Sequence, residues 1–237
     1  MVKLKVNRFI NDPNLCAVAS SAIVANYYDN SIDYDRTKEI AVKKISKNVF
    51  DLGLDSAEIG MLLNRLGFNE VEIISSNLDF LDYSWAKLSK NKLIKKLNTL
   101  ENKTKDETVQ SYCKISSDFL KFSIKNKLII DYTFSDYIRE YLDKKIPVII
   151  TFNWTKYFRF TKDGVNGTPD PFLGDSTEHA VVAYGYDDKD VYICDPHVKF
   201  YKYKLKKYRD GFYKMPWEIL MGVMGNGDVI IPSNFEK

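Results

Sequence analysis

Among the residues of this sequence, Cys16 has the local surroundings that most favour a reactive side chain. It follows a polar turn at residues 12–14 and opens the run CAVASSAIVANYY, which is small, apolar and free of helix breakers. The run predicts a buried helix over Cys16 to Tyr28, with Cys16 at its start. A helix N-terminus lowers the pKa of a thiol because it stabilises the thiolate, which is the nucleophilic form. A structural cysteine is the alternative, since a lone cysteine in an apolar helix usually only packs.

A histidine and an aspartate stand where a β-hairpin would bring them together. His179, one of two histidines, opens the run HAVVAYGY, and Asp195 ends the run DVYICD. If the runs pair about a turn at residues 187–189, the two residues fall opposite or nearly opposite one another. The carboxylate would then accept from one imidazole nitrogen and leave the other for a thiol, as in a Cys-His-Asp triad. Taken singly, His179 fits a core or surface position and Asp195 a turn before proline, but their joint placement favours the triad.

The elements that must position these residues change in character near residue 145. Residues 1–145 are predicted to be mainly helical, and residues 146–237 to form an antiparallel sheet, giving an α+β fold in a single domain over 1–237. Helices are predicted over Cys16 to Tyr28, Asp33 to Ser46, Asp55 to Leu66, twice between Trp85 and Lys125, and over Ser135 to Lys144, with a strand over Val71 to Ser75. Further strands are predicted at PVIITF, HAVVAYGY, DVYICD, KFYKYKL and DVIIP, with a long polar loop over Trp154 to Thr177.

Composition and charge exclude several classes of function. The 35 basic and 32 acidic residues are interspersed, for a net charge of +3, which argues against a nucleic-acid partner. No apolar run is long enough to span a bilayer, and the first residues lack the apolar region of a secretory signal. The three cysteines form no disulfide framework and no metal motif. We therefore expect a cytoplasmic protein, or a secreted one if a leader was removed, with no metal and no cofactor.

Four motifs along the chain carry a family resemblance. They are NDPNLCAVASS, IPVIITF, EHAVVAYGYD and VYICDP, whereas the stretch from Ser75 to Ser135 matches nothing familiar. The motifs resemble papain-like cysteine peptidases of the bacteriocin-leader-processing, double-glycine peptidase-like group. The resemblance implies a papain-like fold in which the cysteine helix packs on the sheet. It also implies that Cys16 is the nucleophile, His179 the general base and acid, and Asp195 the residue that orients the histidine.

One position departs from the family pattern. Members usually carry a glutamine shortly before the cysteine, and its side-chain amide helps the cysteine N–H to form the oxyanion hole. No glutamine precedes Cys16 here, and Asn11 is the best substitute, ahead of Asn14 and Asn7. The asparagine amide donates the same hydrogen bond from a side chain one methylene shorter.

These features predict a cysteine hydrolase that cleaves a peptide bond through a thioester at Cys16. We expect a peptide or protein substrate, with Trp154 and Glu178 at the ends of the long loop as substrate contacts. Two alternatives stay open: an acyl or peptidyl transferase, in which an amine replaces water, and a catalytically inactive papain-like module that binds a peptide. The missing glutamine favours the inactive module, whereas the presence of all three triad residue types argues against it.

Overall fold

The computed structural model of the chain describes residues 1–164, 168–197 and 210–236. Its helices are α1 (Cys16–Tyr28), α2 (Tyr34–Lys44), α3 (Val49–Leu52), α4 (Ser56–Arg65), α5 (Lys90–Lys103), α6 (Glu107–Phe122), α7 (Phe134–Asp143), α8 (Trp154–Phe158) and α9 (Trp217–Met224), with a 3₁₀ turn at Tyr83–Trp85. Its strands are β1 (Val2–Lys3), β2 (Phe68–Ser75), β3 (Lys127–Ile130), β4 (Val148–Asn153), β5 (Glu178–Tyr186), β6 (Asp190–Cys194), β7 (Phe212–Pro216) and β8 (Asp228–Phe235). The α+β class predicted from the sequence is confirmed.

The strands form one sheet in the order β3-β2-β8-β4-β5-β6-β7, and β1 pairs with β5. All pairs are antiparallel except β2 with β3, which run parallel. Residues 1–145 contain helices α1 to α7, but they also supply β1, β2 and β3 to the sheet, so the sheet is not confined to residues 146–237 as predicted. The physical reason lies in β2, whose residues from Val71 to Ser75 are all buried and pair with β8 near the other end of the chain.

Helix α1 is buried against the sheet over most of its length. Every residue from Ala17 to Asn26 is buried, as expected for a helix that is apolar on all sides. The Ser20 hydroxyl donates to the backbone oxygen of Ala180 in β5 at 3.0 Å, which ties the helix to that strand. Within the described ranges, no helix combines the length and apolar composition needed to cross a membrane.

Helix and hairpin boundaries agree closely with the local signals in the sequence. Asp33 caps α2 by accepting the N–H of Arg36 at 2.8 Å, and Glu58 accepts the N–H of Asp55 at 3.1 Å at the start of α4. The turn between β5 and β6 falls on residues 187–189, as predicted, and the Asp187 carboxylate accepts backbone N–H groups there. The two helices predicted between Trp85 and Lys125 are α5 and α6.

Other predicted boundaries differ from the structure. The long polar loop begins later than predicted, because Asn153 accepts the N–H of Lys156 at 2.8 Å and so starts the short helix α8 at Trp154. Strands β1, β3 and β7 and helix α9 were not predicted, since each is short or depends on pairing with distant strands. The run KFYKYKL lies outside the described residues.

Candidate active site

Cys16 is the first residue of α1 and is partly exposed. The N-cap residue, Leu15, makes no side-chain hydrogen bond to the first backbone N–H groups of the helix, so its side chain does not cap them. Burial acts to raise the pKa of the Cys16 thiol. The charge of His179, a hydrogen bond from its imidazole and one from the backbone N–H of Ala180 outweigh burial, and the pKa of Cys16 is lowered from 9.0. Cys16 is thus disposed towards the thiolate form.

His179 lies between Cys16 and Asp195. Its Nε2 atom is 2.9 Å from Oδ1 of Asp195. The imidazole also interacts with the Cys16 thiol, and because Nε2 faces Asp195, Nδ1 is the nitrogen available to the sulfur. Burial acts to lower the pKa of His179, but the negative charges of Asp195 and of the Cys16 thiolate raise it well above 6.5. The three side chains therefore favour a thiolate and an imidazolium side by side.

Asp195 is fully buried and held by several donors. Oδ1 also accepts the backbone N–H of His197 at 2.8 Å, and Oδ2 accepts the hydroxyl of Tyr213 at 3.0 Å. Arg8 donates from Nε to the backbone oxygen of Asp195 and from Nη2 to that of His197, each at 2.6 Å. A buried carboxylate with this many partners keeps a fixed orientation towards the imidazole.

The hairpin brings His179 and Asp195 together through an irregularity in its pairing. Near the turn Gly185 pairs with Tyr192, whereas beyond a β-bulge Val182 pairs with Cys194. If the register at the turn continued, Asp195 would lie opposite Val182 and point away from the face that carries His179. The bulge moves Asp195 by one residue onto that face, diagonal to His179. The predicted near-opposition is confirmed, with the bulge as its cause.

Aromatic rings surround the imidazole of His179. Trp154 contacts it edge to face, with ring centroids 4.2 Å apart, and Phe152 does so at 6.0 Å. The ring of His197 lies 4.5 Å from Trp154 and 6.1 Å from His179. Trp154 is only 8% exposed, so this position favours packing against the imidazole over the substrate contact predicted from the sequence.

Asn11 is buried in the loop that precedes α1. Its amide donates from Nδ2 to the backbone oxygen of Asp12 at 2.6 Å, and its backbone N–H donates to the oxygen of Pro196, next to Asp195, at 3.0 Å. The two other candidate asparagines use their amides elsewhere: Asn7 donates to Asn26, and Asn14 donates to the backbone of α3. Asn11 is therefore the candidate that lies beside the aspartate loop.

Glu178 begins β5 directly before His179, with its side chain on the opposite face of the strand. Glu178 is exposed and accepts a 3.4 Å hydrogen bond from the amide of Asn153. Partial desolvation raises the pKa of Glu178 to about 7, an effect that the Asn153 bond reduces and the charge of Asp228 increases.

Arg8 and Tyr213 belong to the site but were not identified from the sequence. They are separated from Asp195 by 187 and 18 residues, respectively, and neither lies in a motif. The remaining cysteines, Cys113 and Cys194, are buried, and burial raises the pKa of Cys113 to about 11 and that of Cys194 to about 12. Among the described residues there is no group of three potential metal ligands.

A cysteine at the N-terminus of a buried helix, beside a histidine near the start of one strand and an aspartate directly after the neighbouring strand, is the arrangement of papain-like cysteine peptidases. The chain belongs to the Peptidase C39-like family, whose model matches residues 3–223. The family predicted from the four sequence motifs is thereby confirmed.

Two solved structures are similar to the chain. One is a double-glycine-motif protease from an AMS/PCAT transporter in complex with a leader peptide; it has 14% sequence identity and a TM-score of 0.45, over 98% of this chain and 95% of that one. The other, from Bacillus anthracis, is described as a C39-like peptidase and has 16% identity and a TM-score of 0.43 over 100% of both chains. No protein with a curated description matches the chain in sequence.

Proposed function

We propose that the protein is a cysteine peptidase that hydrolyses a peptide bond through a thioester on Cys16. The observation that carries this proposal is the continuous contact from the Cys16 thiol through the His179 imidazole to Asp195, with Nε2 and Oδ1 2.9 Å apart. The side chains of His179 and Asp195 are 6% and 0% exposed, so the charges interact away from bulk water.

The first half of the reaction forms the thioester. The Cys16 thiolate attacks the carbonyl carbon of the scissile bond, and the oxyanion is held by the N-terminal N–H groups of α1. The Asn11 amide donates one N–H to the backbone oxygen of Asp12, and its second N–H is the one that would assist there. The imidazolium of His179 donates its proton to the leaving nitrogen, the C–N bond breaks, and the amine product departs. Asp195 keeps Nδ1 directed at the sulfur throughout.

The second half releases the acid. Neutral His179 takes a proton from water, the resulting hydroxide attacks the thioester carbonyl, and the C–S bond breaks. A carboxylic acid leaves, and the thiolate and imidazolium are restored. If an amine takes the place of water, the same steps produce an amide, which is the transferase alternative.

Cleavage of a peptide library by the parent protein, Cys16→Ala and Cys113→Ala tests this proposal. Cys113 is the matched control because it is a buried thiol with a raised pKa on α6. We expect the parent and Cys113→Ala to cleave the same bonds and Cys16→Ala to cleave none, with product masses distinguishing water from an added amine as the acceptor. Retained cleavage by Cys16→Ala would refute the proposal, and so would a parent that cleaves nothing.

A further inference from the structure

A cavity of about 220 Å³ opens at the end of the sheet where β5 begins. Its walls come from the ends of β2, β4, β5 and β8, from the start of α4, and from one side of α6. Apolar side chains form part of its surface, among them Phe80, Ile115, Phe119 and Leu128. Pockets for drug-sized ligands measure about 300–1,000 Å³, so this cavity suits a single side chain.

Four carboxylates line the cavity. They are Asp55, Asp79, Glu178 and Asp228, and the described residues that line it include no lysine, arginine or histidine. The first residues of α4 contribute only the partial positive charge of a helix N-terminus. Tyr112 lies within reach of all four acids: burial and then their charges raise its pKa above 10.0. The cavity therefore holds a concentrated negative potential.

Asp228 has an unsatisfied oxygen in this wall. Its Oδ1 atom is buried and accepts no hydrogen bond from the described residues. The hydroxyls of Ser56 and Ser75 interact with the carboxylate, but burial dominates and raises the pKa of Asp228 to about 6. A buried carboxylate oxygen without a donor is costly, and a cationic donor that entered the cavity would remove that cost.

We propose that this acidic cavity binds a lysine or arginine side chain of the peptide substrate, close to the bond that is cleaved. The aliphatic part of such a side chain would lie against Phe80, Phe119 and Leu128, while its charged end meets Glu178 and Asp228.

The cavity is connected to the proposed catalytic residues on two sides. Glu178, which lines it, directly precedes His179, although the two side chains lie on opposite faces of β5. Asn14, two residues before Cys16, donates to the backbone oxygen of Phe50 in α3, close in sequence to the cavity wall that begins at Leu54. This inference rests on the proposed peptidase function and adds the substrate class to it.

The cleavage profile provides the first test. In a library randomised around the scissile bond, we expect the parent to prefer lysine or arginine over norleucine at one position by about tenfold or more. Glu178→Gln and Asp228→Asn should each reduce that preference severalfold. The matched control is Asp118→Asn, which changes an exposed carboxylate on α6 outside the cavity and should keep the preference. Comparison of the lysine and arginine arms identifies the better ligand.

The second test does not depend on catalysis. N-acetyl-lysine amide and N-acetyl-norleucine amide would be titrated into the Cys16→Ala protein, with the amide resonances of Ser56, Tyr112 and Asn226 as reporters. We expect saturable shifts with the lysine compound alone, lost in Cys16→Ala/Asp228→Asn. Cleavage without cationic preference, together with no such shifts, overturns the cavity proposal and leaves the peptidase proposal standing. Shifts without any cleavage would overturn the peptidase proposal and leave the binding of a cationic side chain in the cavity standing.

Discussion

The thiol of Cys16 and the imidazole of His179 each change the protonation of the other. The positive imidazolium lowers the pKa of the thiol against the effect of burial, and the thiolate and Asp195 raise the pKa of the imidazole. The ion pair is populated above the pKa of the Cys16 thiol and below the pKa of the His179 imidazole. The pH profile of the proposed activity should therefore rise with a midpoint below pH 9.0, set by the thiol, and fall with a midpoint above pH 6.5, set by the imidazole. The chemistry of the site is thus set by the pair rather than by either residue.

We propose that Asn11 contributes to the efficiency of the proposed reaction. If its amide helps to hold the oxyanion, Asn11→Ala should lower kcat by about 100-fold with little change in KM. Steady-state kinetics on a cleaved peptide would measure this. Asn14→Gly is the control, since it removes an amide that donates to Phe50 and keeps a backbone φ of 64° accessible. Unchanged kcat in Asn11→Ala would mean that backbone N–H groups hold the oxyanion without it.

The positions of the proposed catalytic residues could be predicted because each carries a local signal. Cys16 marks the start of a helix, and His179 and Asp195 mark the outer ends of one hairpin. Their partners could not be predicted in this way. Tyr213 reaches Asp195 from the strand β7, and Arg8 reaches it from a segment near the start of the chain. Nothing in the local sequence around either residue indicates that contact.

At the scale of elements, the bulge in β5 aligns the site. Gly185 sits at this bulge between β6 and β1, and a Cβ atom there would come within 3 Å of the Val2 backbone oxygen and of the Cα atom of Lys3. The glycine therefore allows β1 to pack on the strand that carries His179. Sequence patterns predicted the two strands of the hairpin, but a bulge depends on pairing partners that alternation of side chains does not reveal.

Gly185→Ala should destabilise the protein and disturb the hairpin. We expect the free energy of unfolding to fall by about 1–3 kcal/mol, because β1 must move to make room for the methyl group. Urea denaturation would measure the change. Gly222→Ala is the matched control: its Cβ meets nothing within 4 Å in α9, so stability should be unchanged or raised by up to about 1 kcal/mol. Equal effects of the two substitutions would contradict this role for Gly185.

At the scale of the whole molecule, charge is distributed unevenly. The chain has a net charge of +3, yet four carboxylates meet around one cavity beside the proposed catalytic residues. No sequence motif predicts this cavity, because its four acids are far apart in the chain. Asp55 precedes α4, Asp79 follows β2, and Glu178 and Asp228 begin β5 and β8, so only the fold brings them together. Such a cluster costs stability in the absence of a cationic ligand.

Asp228→Asn should recover part of that stability in a pH-dependent way. The pKa of Asp228 is raised from 3.8 to about 6, so the folded state binds the proton more tightly than the unfolded state does. The parent is therefore penalised progressively as the pH rises from about 4 through 6, whereas asparagine cannot ionise. We expect the variant to gain on the order of 2 kcal/mol over the parent between pH 4 and pH 7.5, measured by urea denaturation. A difference that stays constant with pH, as expected for Asp118→Asn, would contradict it.

The pH dependence of alkylation at Cys16 tests the central claim most directly. Iodoacetamide would be reacted with the folded parent and with His179→Ala over a range of pH, and the modified residue would be located by mass spectrometry. We predict that the parent is modified at Cys16, with a midpoint below pH 9.0, and that His179→Ala moves the midpoint above 9.0 because burial then acts without the imidazolium. Cys113 and Cys194 should stay unmodified. A parent midpoint at or above 9.0, or one that His179→Ala leaves unchanged, would contradict the thiolate–imidazolium pair.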